Sequence, residues 1–323
     1  MGGSADLSQR AAAHRARAAV ERARLTTHQP VIDASLVRRL VATQFPEWAE
    51  LSIQPVAPGG FDNRTFRLGE QMLVRLPSAV PYAPQVEREQ LWLPKLAPML
   101  PVQIPEPLAM GEPSLGYPWR WSIYRWIEGQ TAHHLPVDRF AALASELATF
   151  LSALHAIEST DGPVAGPASF YRGGPLQVYD NEVRRVAEVL DGRMDADLAM
   201  RVWDRALQSP WKRPPVWVHG DVSAGNLLMR DGKLSGVIDF GQLSVGDPAC
   251  DLVLSWTLFD ENSRDAFRAA LPLDPDTWAR GRAWALWKAM ITAAGVAETS
   301  AEVRARCWTT IAAVLLDHGR TEA

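Results

Sequence analysis

The stretch from residue 216 to residue 251 constrains this chain more than any other. It opens with an apolar run, Val216–Val218, which predicts a short buried strand. Further on, Asp231-Gly232 separates two more apolar runs, Leu227–Arg230 and Leu234–Ile238. Asp-Gly in this setting is typical of a β-hairpin, because a type I′ turn needs positive φ at both central residues. We therefore predict a hairpin centred on this pair.

The predicted hairpin would bring three polar side chains together. In the simplest register the facing pairs are Arg230 with Lys233, Leu228 with Ser235 and Leu227 with Gly236. Asn226 then begins one strand, Asp239 follows the end of the other, and Asp221 lies on the preceding loop. Facing residues of paired strands lie about 4.5–5.5 Å apart, so an amide oxygen and a carboxylate converge from opposite strands. The sequence thus predicts a pocket lined with oxygen atoms.

Such a pocket suits magnesium, which takes one or two protein oxygens and keeps waters and substrate phosphates as its other ligands. A third carboxylate nearby could orient a hydroxyl group and accept its proton. An Asp followed by an Asn and then by Asp-Phe-Gly is the template of phosphoryl transfer in kinases, here Asp221, Asn226 and Asp239-Phe240-Gly241. Each residue alone would be typical of a loop or turn. The three in this order favour phosphoryl transfer.

The segments HGDVSAGN, IDFG and GDPACD resemble the aminoglycoside phosphotransferase family of small-molecule kinases. The resemblance extends from about Val56 to the C-terminal helices and implies a protein-kinase-like fold. It implies that Asp221 is the catalytic base and that Asn226 and Asp239 bind Mg²⁺. It also implies that His219 and Asp251 are structural, bracing the catalytic loop and capping the next helix.

The N-terminal half predicts a sheet that holds a nucleotide. Residues 51–57, 64–68 and 72–76 read as a three-stranded meander. A glycine turn, Gly59-Gly60, joins the first two strands and could lay backbone N–H groups over the phosphates of ATP or GTP. A Gly-Gly turn is also common in ordinary hairpins, so this signal depends on the later motifs.

Arg75, on the third strand, occupies the place where kinases carry a phosphate-binding lysine. The resemblance pairs this cation with Glu89, at the start of a predicted helix. Arginine is a planar fork with five donors and would contact phosphate oxygens more broadly than lysine does. The alternative is a surface ion pair of Arg75 with Glu87 or Glu89, worth roughly 0–1 kcal/mol.

Residues 119–127, WRWSIYRWI, predict the last strand of the small lobe running into a hinge. The backbone of Arg125, Trp126 and Ile127 would then bind the edge of adenine or guanine, with Tyr124 at the back of the pocket. An interior strand followed by a turn is the alternative.

Composition and charge narrow the function classes. The formal net charge of −4 argues against nucleic acid as the main partner. No apolar run approaches the roughly 18 residues that a membrane span needs, so no membrane partner is expected. The two cysteines, Cys250 and Cys307, cannot form a disulfide framework and fit a reducing, cytoplasmic location.

The C-terminal residues predict helices at 252–259, 264–270, 277–294 and 302–318. Four tryptophans crowd this end, namely Trp256, Trp278, Trp284 and Trp287, and core packing is expected of them rather than an acceptor wall. Seven acids against two arginines lie between residues 247 and 276. This balance suits a cationic acceptor such as an aminoglycoside, and solvated helix faces explain it equally well.

We therefore expect an α+β, two-lobed, protein-kinase-like fold. Residues 1–32 form an Ala/Arg-rich extension, 33–128 the small lobe and 129–323 the large lobe. The predicted reaction moves the γ-phosphoryl group of Mg-bound ATP or GTP to a hydroxyl of a small molecule, an antibiotic such as an aminoglycoside or macrolide. A metabolite alcohol kinase and a nucleotide-binding pseudokinase are the alternatives. A protein kinase is disfavoured, because Asp239 to Asp247 leaves almost no room for an activation segment.

Overall fold

The computed structural model describes residues 30–57, 59–60, 62–296 and 299–321. The predicted N-terminal extension, residues 1–32, falls almost entirely outside these ranges. The described chain folds into a small antiparallel sheet followed by a mostly helical remainder. The predicted α+β class is confirmed.

The small lobe is built on a five-stranded antiparallel sheet. Its strands are β1 (Ile53–Pro55), β2 (Asn63–Leu68), β3 (Met72–Pro77), β4 (Pro107–Gly111) and β5 (Trp121–Arg125), in the order β1-β2-β3-β5-β4. The predicted meander is thus confirmed, although β1 is two residues shorter at each end than predicted and β2 and β3 are each one residue longer. Helix α1 (Ala34–Gln44) begins where Asp33 accepts a hydrogen bond from Leu36 N at 2.7 Å, and it packs its apolar face against the sheet.

Helix α2 (Ala83–Leu96) lies beside the sheet and carries the predicted partner of Arg75. It begins four residues before Glu87, where the sequence placed its start. Pro84 sits in the first turn, where its missing N–H costs nothing, so the helix extends towards the N-terminus. Val86, Glu89 and Leu93 are buried along one face.

Helices dominate the large lobe. They are α3 (Phe140–Ala156), α4 (Asp180–Val189), α5 (Ala196–Leu207), α6 (Leu254–Thr257), α7 (Glu261–Ala270), α8 (Pro275–Ala293) and α9 (Ala301–Thr321). Helix α8 is buried around most of its circumference, as expected for a central helix. The four C-terminal tryptophans are at most 4% exposed, which confirms that they pack in the core.

Five short strands of the large lobe position the catalytic elements. They are β6 (Gln130–Thr131), β7 (Val216–Val218), β8 (Leu227–Arg230), β9 (Lys233–Val237) and β10 (Ser244–Gly246). Strands β8 and β9 form the predicted hairpin, and φ is +51° at Asp231 and +74° at Gly232, as a type I′ turn requires.

The register of the hairpin differs from the prediction beyond its first pair. Arg230 faces Lys233 as expected, but Leu228 faces Gly236 and Leu227 faces Val237. A bulge between Leu228 and Met229 inserts one residue on β9, and the Ser235 hydroxyl donates to the carbonyl oxygen of Leu228 at 3.0 Å. The simple register was wrong by one residue.

The boundary predicted between the lobes, at 128 and 129, stays a prediction. The five-stranded sheet ends at Arg125, and β6 already pairs with β8 of the hairpin. None of the described helices combines the length and apolar character that a membrane crossing requires.

Candidate active site

The loop that carries Asp221 follows β7 and is fixed by a buried carboxylate. Asp251, fully buried, accepts hydrogen bonds from His219 N at 2.9 Å and Gly220 N at 2.7 Å. Gly220 has φ +84°, and a Cβ there would lie 2.7 Å from the carbonyl oxygen of Gln242. Only glycine therefore fits this turn of the loop.

His219 and Asp251 brace this loop, as the resemblance implies. The ring Nε2 of His219 lies 3.0 Å from the carbonyl oxygen of Ile238, the residue that follows β9, and this contact ties the loop to the end of that strand. Asp251 does not cap a helix, however. It lies inside the helical turn Pro248–Leu252, and Asp247 caps that turn by accepting from Ala249 N at 3.1 Å.

Asp221, Asn226 and Asp239 converge on one cleft. The Asn226 side-chain nitrogen donates to the Asp221 carbonyl oxygen at 2.9 Å, which leaves the amide oxygen turned the other way. Ile238 N donates to the Asn226 carbonyl oxygen at 2.9 Å, so Asp239 is the next residue after this cross-strand contact. Asp239 has φ +67°, an uncommon conformation for a non-glycine residue, and its side chain is 36% exposed.

The carboxylate of Asp221 has a partner that the sequence analysis missed. Lys288, on α8, places its Nζ 2.8 Å from Asp221 Oδ1. Burial would raise the pKa of Asp221, but Lys288 and Arg172 lower it to about 2. The carboxylate is therefore ionised throughout the neutral range. The sequence did contain one indication that Lys288 is unusual. It is one of only four lysines, and it stands in the apolar run WALWKAM.

Arg75 is the centre of an ion-pair network at the floor of the small lobe. Its guanidinium lies 2.8 Å from Glu89 Oε1 and also contacts Asp239 Oδ1. Burial alone would lower the pKa of Arg75, but the carboxylates of Asp239 and Glu89 raise it above its ordinary value. The side chains of Arg75 and Glu89 are 13% and 3% exposed, so this pair is not a surface ion pair.

Tyr124 extends the same network. It is buried at the back of the cleft, and its hydroxyl donates to Glu89 Oε2. Glu87, the alternative partner of Arg75, instead pairs with Arg120 at 2.7 Å on the surface. Arg88 donates to the Gly241 carbonyl oxygen at 3.2 Å and thereby ties α2 to the segment that follows Asp239.

The three predicted hinge residues differ in whether their backbone N–H groups are already hydrogen-bonded. The N–H groups of Arg125 and Trp126 donate to the carbonyl oxygens of Glu106 and Gln71, at 2.9 and 2.7 Å, so neither is free for a nucleobase. The Arg125 side chain is exposed and pairs with Glu106 at 2.6 Å. Of these three backbone N–H groups, that of Ile127 alone has no backbone acceptor within the described residues.

The glycine turn leaves room above the cleft. Among the described residues, a Cβ on Gly59 would meet nothing within 4 Å, and one on Gly60 would meet only the Asn63 carbonyl oxygen at 3.3 Å. Asp62 follows the turn, and its pKa rises to about 6 through burial and through the nearby carboxylates of Asp239 and Asp221. Asp62 is a further cleft carboxylate that the sequence analysis did not single out.

The chemistry of these donors fits magnesium. Within the described chain, no group of three or more His, Cys, Asp or Glu side chains could hold a metal unaided. One carboxylate and one amide oxygen are what Mg²⁺ needs when phosphates and waters supply the remaining ligands. The Arg75 guanidinium already pairs with the Asp239 carboxylate, which shows that this carboxylate accepts a positive charge in the cleft.

Comparison with known proteins identifies the family. A model of the phosphotransferase enzyme family matches residues 52–284, well over half of the chain. The chain belongs to the phosphotransferase enzyme family. An aminoglycoside 3′-phosphotransferase of Escherichia coli is 29% identical over 148 residues, which cover 44% of this chain and 53% of that protein. The uncharacterized protein YcbJ of Bacillus subtilis is 26% identical over 193 residues, 57% of each chain. The matches thus span about half the length of these curated relatives.

Solved structures of this phosphotransferase family share the fold. The GDP complex of an aminoglycoside 2′-phosphotransferase-IIIa superposes with a TM-score of 0.66 at 20% identity, covering 89% of this chain and 100% of that one. The macrolide 2′-phosphotransferase MphH of Brachybacterium faecium superposes with a TM-score of 0.57 at 21% identity, covering 87% and 98%. At such identities the likeness establishes the kinase-like fold, and it confirms the two-lobed architecture expected from the sequence.

Proposed function

We propose that this protein transfers the γ-phosphoryl group of a Mg-bound nucleoside triphosphate to a hydroxyl group of a small molecule. The observation that carries the proposal is the meeting of Asp221, Asn226 and Asp239 in one cleft below Arg75. Membership of the phosphotransferase family supports the same reaction class. The bond that forms joins the acceptor oxygen to the γ-phosphorus, and the bond that breaks is the one to the β–γ bridging oxygen.

Each side chain has a defined task in this reaction. Asp221 orients the acceptor hydroxyl and takes its proton as the new bond forms. Asn226 and Asp239 would hold the magnesium, which neutralises the developing charge on the phosphate oxygens. The products are a phosphate monoester and a nucleoside diphosphate.

Nucleotide binding falls to the small lobe. Arg75 lies beside Asp239 and can turn its remaining donors to the phosphates, while Glu89 and Tyr124 hold it in place. Gly59 and Gly60 lack side chains and could lay their backbone N–H groups over the phosphates. Ile127 offers a backbone N–H to the nucleobase, and ATP and GTP are both candidate donors. One solved relative is a ternary complex with streptomycin and ATP, and another is a GDP complex.

The acceptor is a small molecule in this proposal. Solved relatives include complexes with kanamycin and gentamicin, which makes a cationic antibiotic one candidate acceptor and a metabolite alcohol another. The cytoplasmic location inferred from the cysteines, which are both free thiols here, remains a prediction.

A screen for acceptor-stimulated turnover tests the proposal. The protein is incubated with Mg²⁺ and ATP or GTP, together with hydroxyl-bearing antibiotics and metabolites, and diphosphate formation and the mass of each acceptor are measured. We expect at least one acceptor to gain the mass of a phosphoryl group. Nucleotide that binds without turnover on any acceptor would instead indicate a pseudokinase or a regulatory module.

A further inference from the structure

Lys288 differs from the other lysines of the chain in where it lies. Lys95, Lys212 and Lys233 are exposed, whereas Lys288 is partly buried on α8 and its Nζ lies 2.8 Å from Asp221 Oδ1. The Lys288 side chain remains 39% exposed, so the ammonium group borders the open cleft as well as the carboxylate. A cation thus stands next to the group that must receive the acceptor hydroxyl.

The two oxygens of Asp221 face different sides of the cleft. Oδ2 lies 3.4 Å from the side-chain nitrogen of Asn226, which is proposed to bind magnesium together with Asp239. Oδ1 faces Lys288. Because the proposed function places the nucleotide on the Asp239 side, we expect an acceptor to approach Asp221 from the side of Lys288.

Arg172 is a further positive group beside the catalytic loop. Arg172 is 7% exposed and stacks on Trp284 and Trp287, with 5.0 and 4.9 Å from its guanidinium carbon to the ring centroids. His133 packs against the loop, since its Nε2 would lie 3.2 Å from a Cβ on Gly225. Lys288 and Arg172 are the two charges that lower the pKa of Asp221 most.

Asp221 pairs with Lys288, and Asp62 is a second carboxylate near Asp221, whereas two acids on the neighbouring helices are engaged elsewhere. Glu182 accepts from Trp287 Nε1 at 2.8 Å, and Glu302 pairs with Arg306 on the surface of α9. The seven acids between residues 247 and 276 do not form a negative surface either, because they are buried, cap a helix or pair with arginines. Asp251 is buried, Asp260 caps α7, Asp247 pairs with Arg280, Glu261 and Asp265 with Arg320, Asp274 with Arg213, and Asp276 with Arg205.

We propose that the acceptor carries an anionic group, a carboxylate or a phosphate, close to the hydroxyl that is phosphorylated, and that Lys288 binds this group. The inference rests on the proposed function and names its acceptor class. When such an acceptor enters, the Lys288 ammonium moves from Asp221 Oδ1 to the acceptor anion, and the freed carboxylate oxygen receives the hydroxyl. A polycationic aminoglycoside would instead place ammonium groups against Lys288, and like charges at this distance repel.

Matched acceptors test the proposal directly. Glucose, glucosamine, gluconate and glucose 6-phosphate share a hydroxyl-bearing scaffold and differ in charge, as do glycerol, glycerate and glycerol 3-phosphate. Acceptor-stimulated diphosphate formation from Mg-ATP and Mg-GTP is measured for each compound. We expect an anionic member to exceed its neutral partner at least tenfold in kcat/KM, and the carboxylate and phosphate arms distinguish the two anions. A series in which no anionic member exceeds its neutral or cationic partner overturns the proposal.

Variants of Lys288 separate acceptor binding from simple positioning of Asp221. Lys288→Met should raise the KM of the anionic acceptor roughly 10- to 100-fold, as expected for loss of a charge-assisted hydrogen bond. Lys288→Arg should restore part of the affinity, and Lys288→Glu should lower it further. The KM of the nucleotide should not change, and Lys233→Met on the hairpin turn is the matched control. A uniform loss of kcat for every acceptor, with KM unchanged, would show that Lys288 only positions Asp221 and would overturn the proposal.

The outcomes also separate this inference from the proposed function. Turnover with neutral or cationic acceptors alone leaves the phosphotransferase proposal standing and rejects the anionic acceptor. Absence of turnover with any acceptor, combined with nucleotide binding that does not depend on Mg²⁺, rejects both.

Discussion

Replacing Asp221 with asparagine should lower kcat by about two to three orders of magnitude while nucleotide affinity changes little. A positioned general base contributes about 10²–10⁴-fold. The structure favours the lower part of that range. Burial would raise the pKa of Asp221, but Lys288 and Arg172 bring it down to about 2, so the carboxylate is a weak proton acceptor at neutral pH. Its main tasks are orientation and charge, worth about 3–4 kcal/mol of barrier at the expected loss.

The same pKa fixes the pH dependence. The carboxylate stays ionised at every pH above about 2, so Asp221 contributes no acidic limb to the rate profile at mildly acidic pH. For stability, a lowered pKa contributes free energy that is present above the ordinary value of 3.8 and is lost as pH falls through about 2. At neutral pH the Asp221→Asn variant should therefore lose at most about 2.5 kcal/mol of unfolding free energy. Because Asp221 is 24% exposed and Lys288 39%, screening by solvent should make the loss smaller.

The assay combines steady-state turnover with the best acceptor, nucleotide titration and thermal unfolding of one preparation. Asp231→Asn is the matched control, because Asp231 is exposed in the hairpin turn and asparagine readily adopts its φ of +51°. Turnover of Asp221→Asn near the parental value would refute the assignment. An acidic limb at weakly acidic pH that disappears in Asp221→Asn would refute the reasoning about its pKa.

Three further substitutions test the rest of the site. Asp239→Ala should abolish Mg-dependent nucleotide binding in a folded protein, and an unchanged affinity for Mg-nucleotide by titration would exclude Asp239 as a ligand. Arg75→Ala should raise the KM of the nucleotide or depress kcat, and Arg75→Lys should keep part of the activity; parental kinetics in both variants would show that Arg75 does not serve the reaction. Asp251→Ala should lower unfolding free energy by about 2–5 kcal/mol, because the buried N–H groups of His219 and Gly220 lose their acceptor; a chemical denaturation midpoint equal to that of the parent protein would contradict this role.

The local patterns of the sequence were sufficient for the elements that short-range chemistry determines. The Asp231-Gly232 turn predicted the hairpin because few residue pairs adopt positive φ twice in succession. The strand and helix that carry Arg75 and Glu89 were predicted from apolar spacing, and the resemblance supplied their pairing. These features depend on residues within one element or one turn, which is the range that periodicity reports.

The electrostatic surroundings of the site depend on contacts that no local pattern reports. Lys288 reaches Asp221 across 67 residues of sequence, and Arg75 reaches Asp239 across 164. The hinge shows the same limitation. The sequence predicted that the backbone of Arg125 and Trp126 binds a nucleobase, but their N–H groups donate to the carbonyl oxygens of Glu106 and Gln71. The acidic composition of residues 247–276 likewise did not predict the charge of this surface, because arginines from other segments pair with several of these acids.

A shift of one residue in the register of the β8–β9 hairpin determines where the proposed magnesium ligands lie. In the unbulged hairpin Asn226 would face Val237, and Asp239 would lie two residues beyond that pair. The bulge moves the partner by one, so that Ile238 N donates to the Asn226 carbonyl oxygen and Asp239 follows at once. The bulge is held from outside the hairpin, because Gln103 N donates to the Ser235 carbonyl oxygen at 3.2 Å and the Gln103 carbonyl oxygen accepts from Val237 N at 2.9 Å.

The small side chain of Gly236 makes that external contact possible. A Cβ on Gly236 would lie 3.0 Å from Ile127 Cγ2 and 3.4 Å from the Gln103 carbonyl oxygen. Strand β9, which is followed by Asp239, is therefore packed closely against two segments. One is the chain between α2 and β4, at Gln103, and the other is the hinge, at Ile127. Ile127, proposed to bind the nucleobase, and Asp239, proposed to bind magnesium, are therefore both positioned by β9, and the register of this strand relates one to the other.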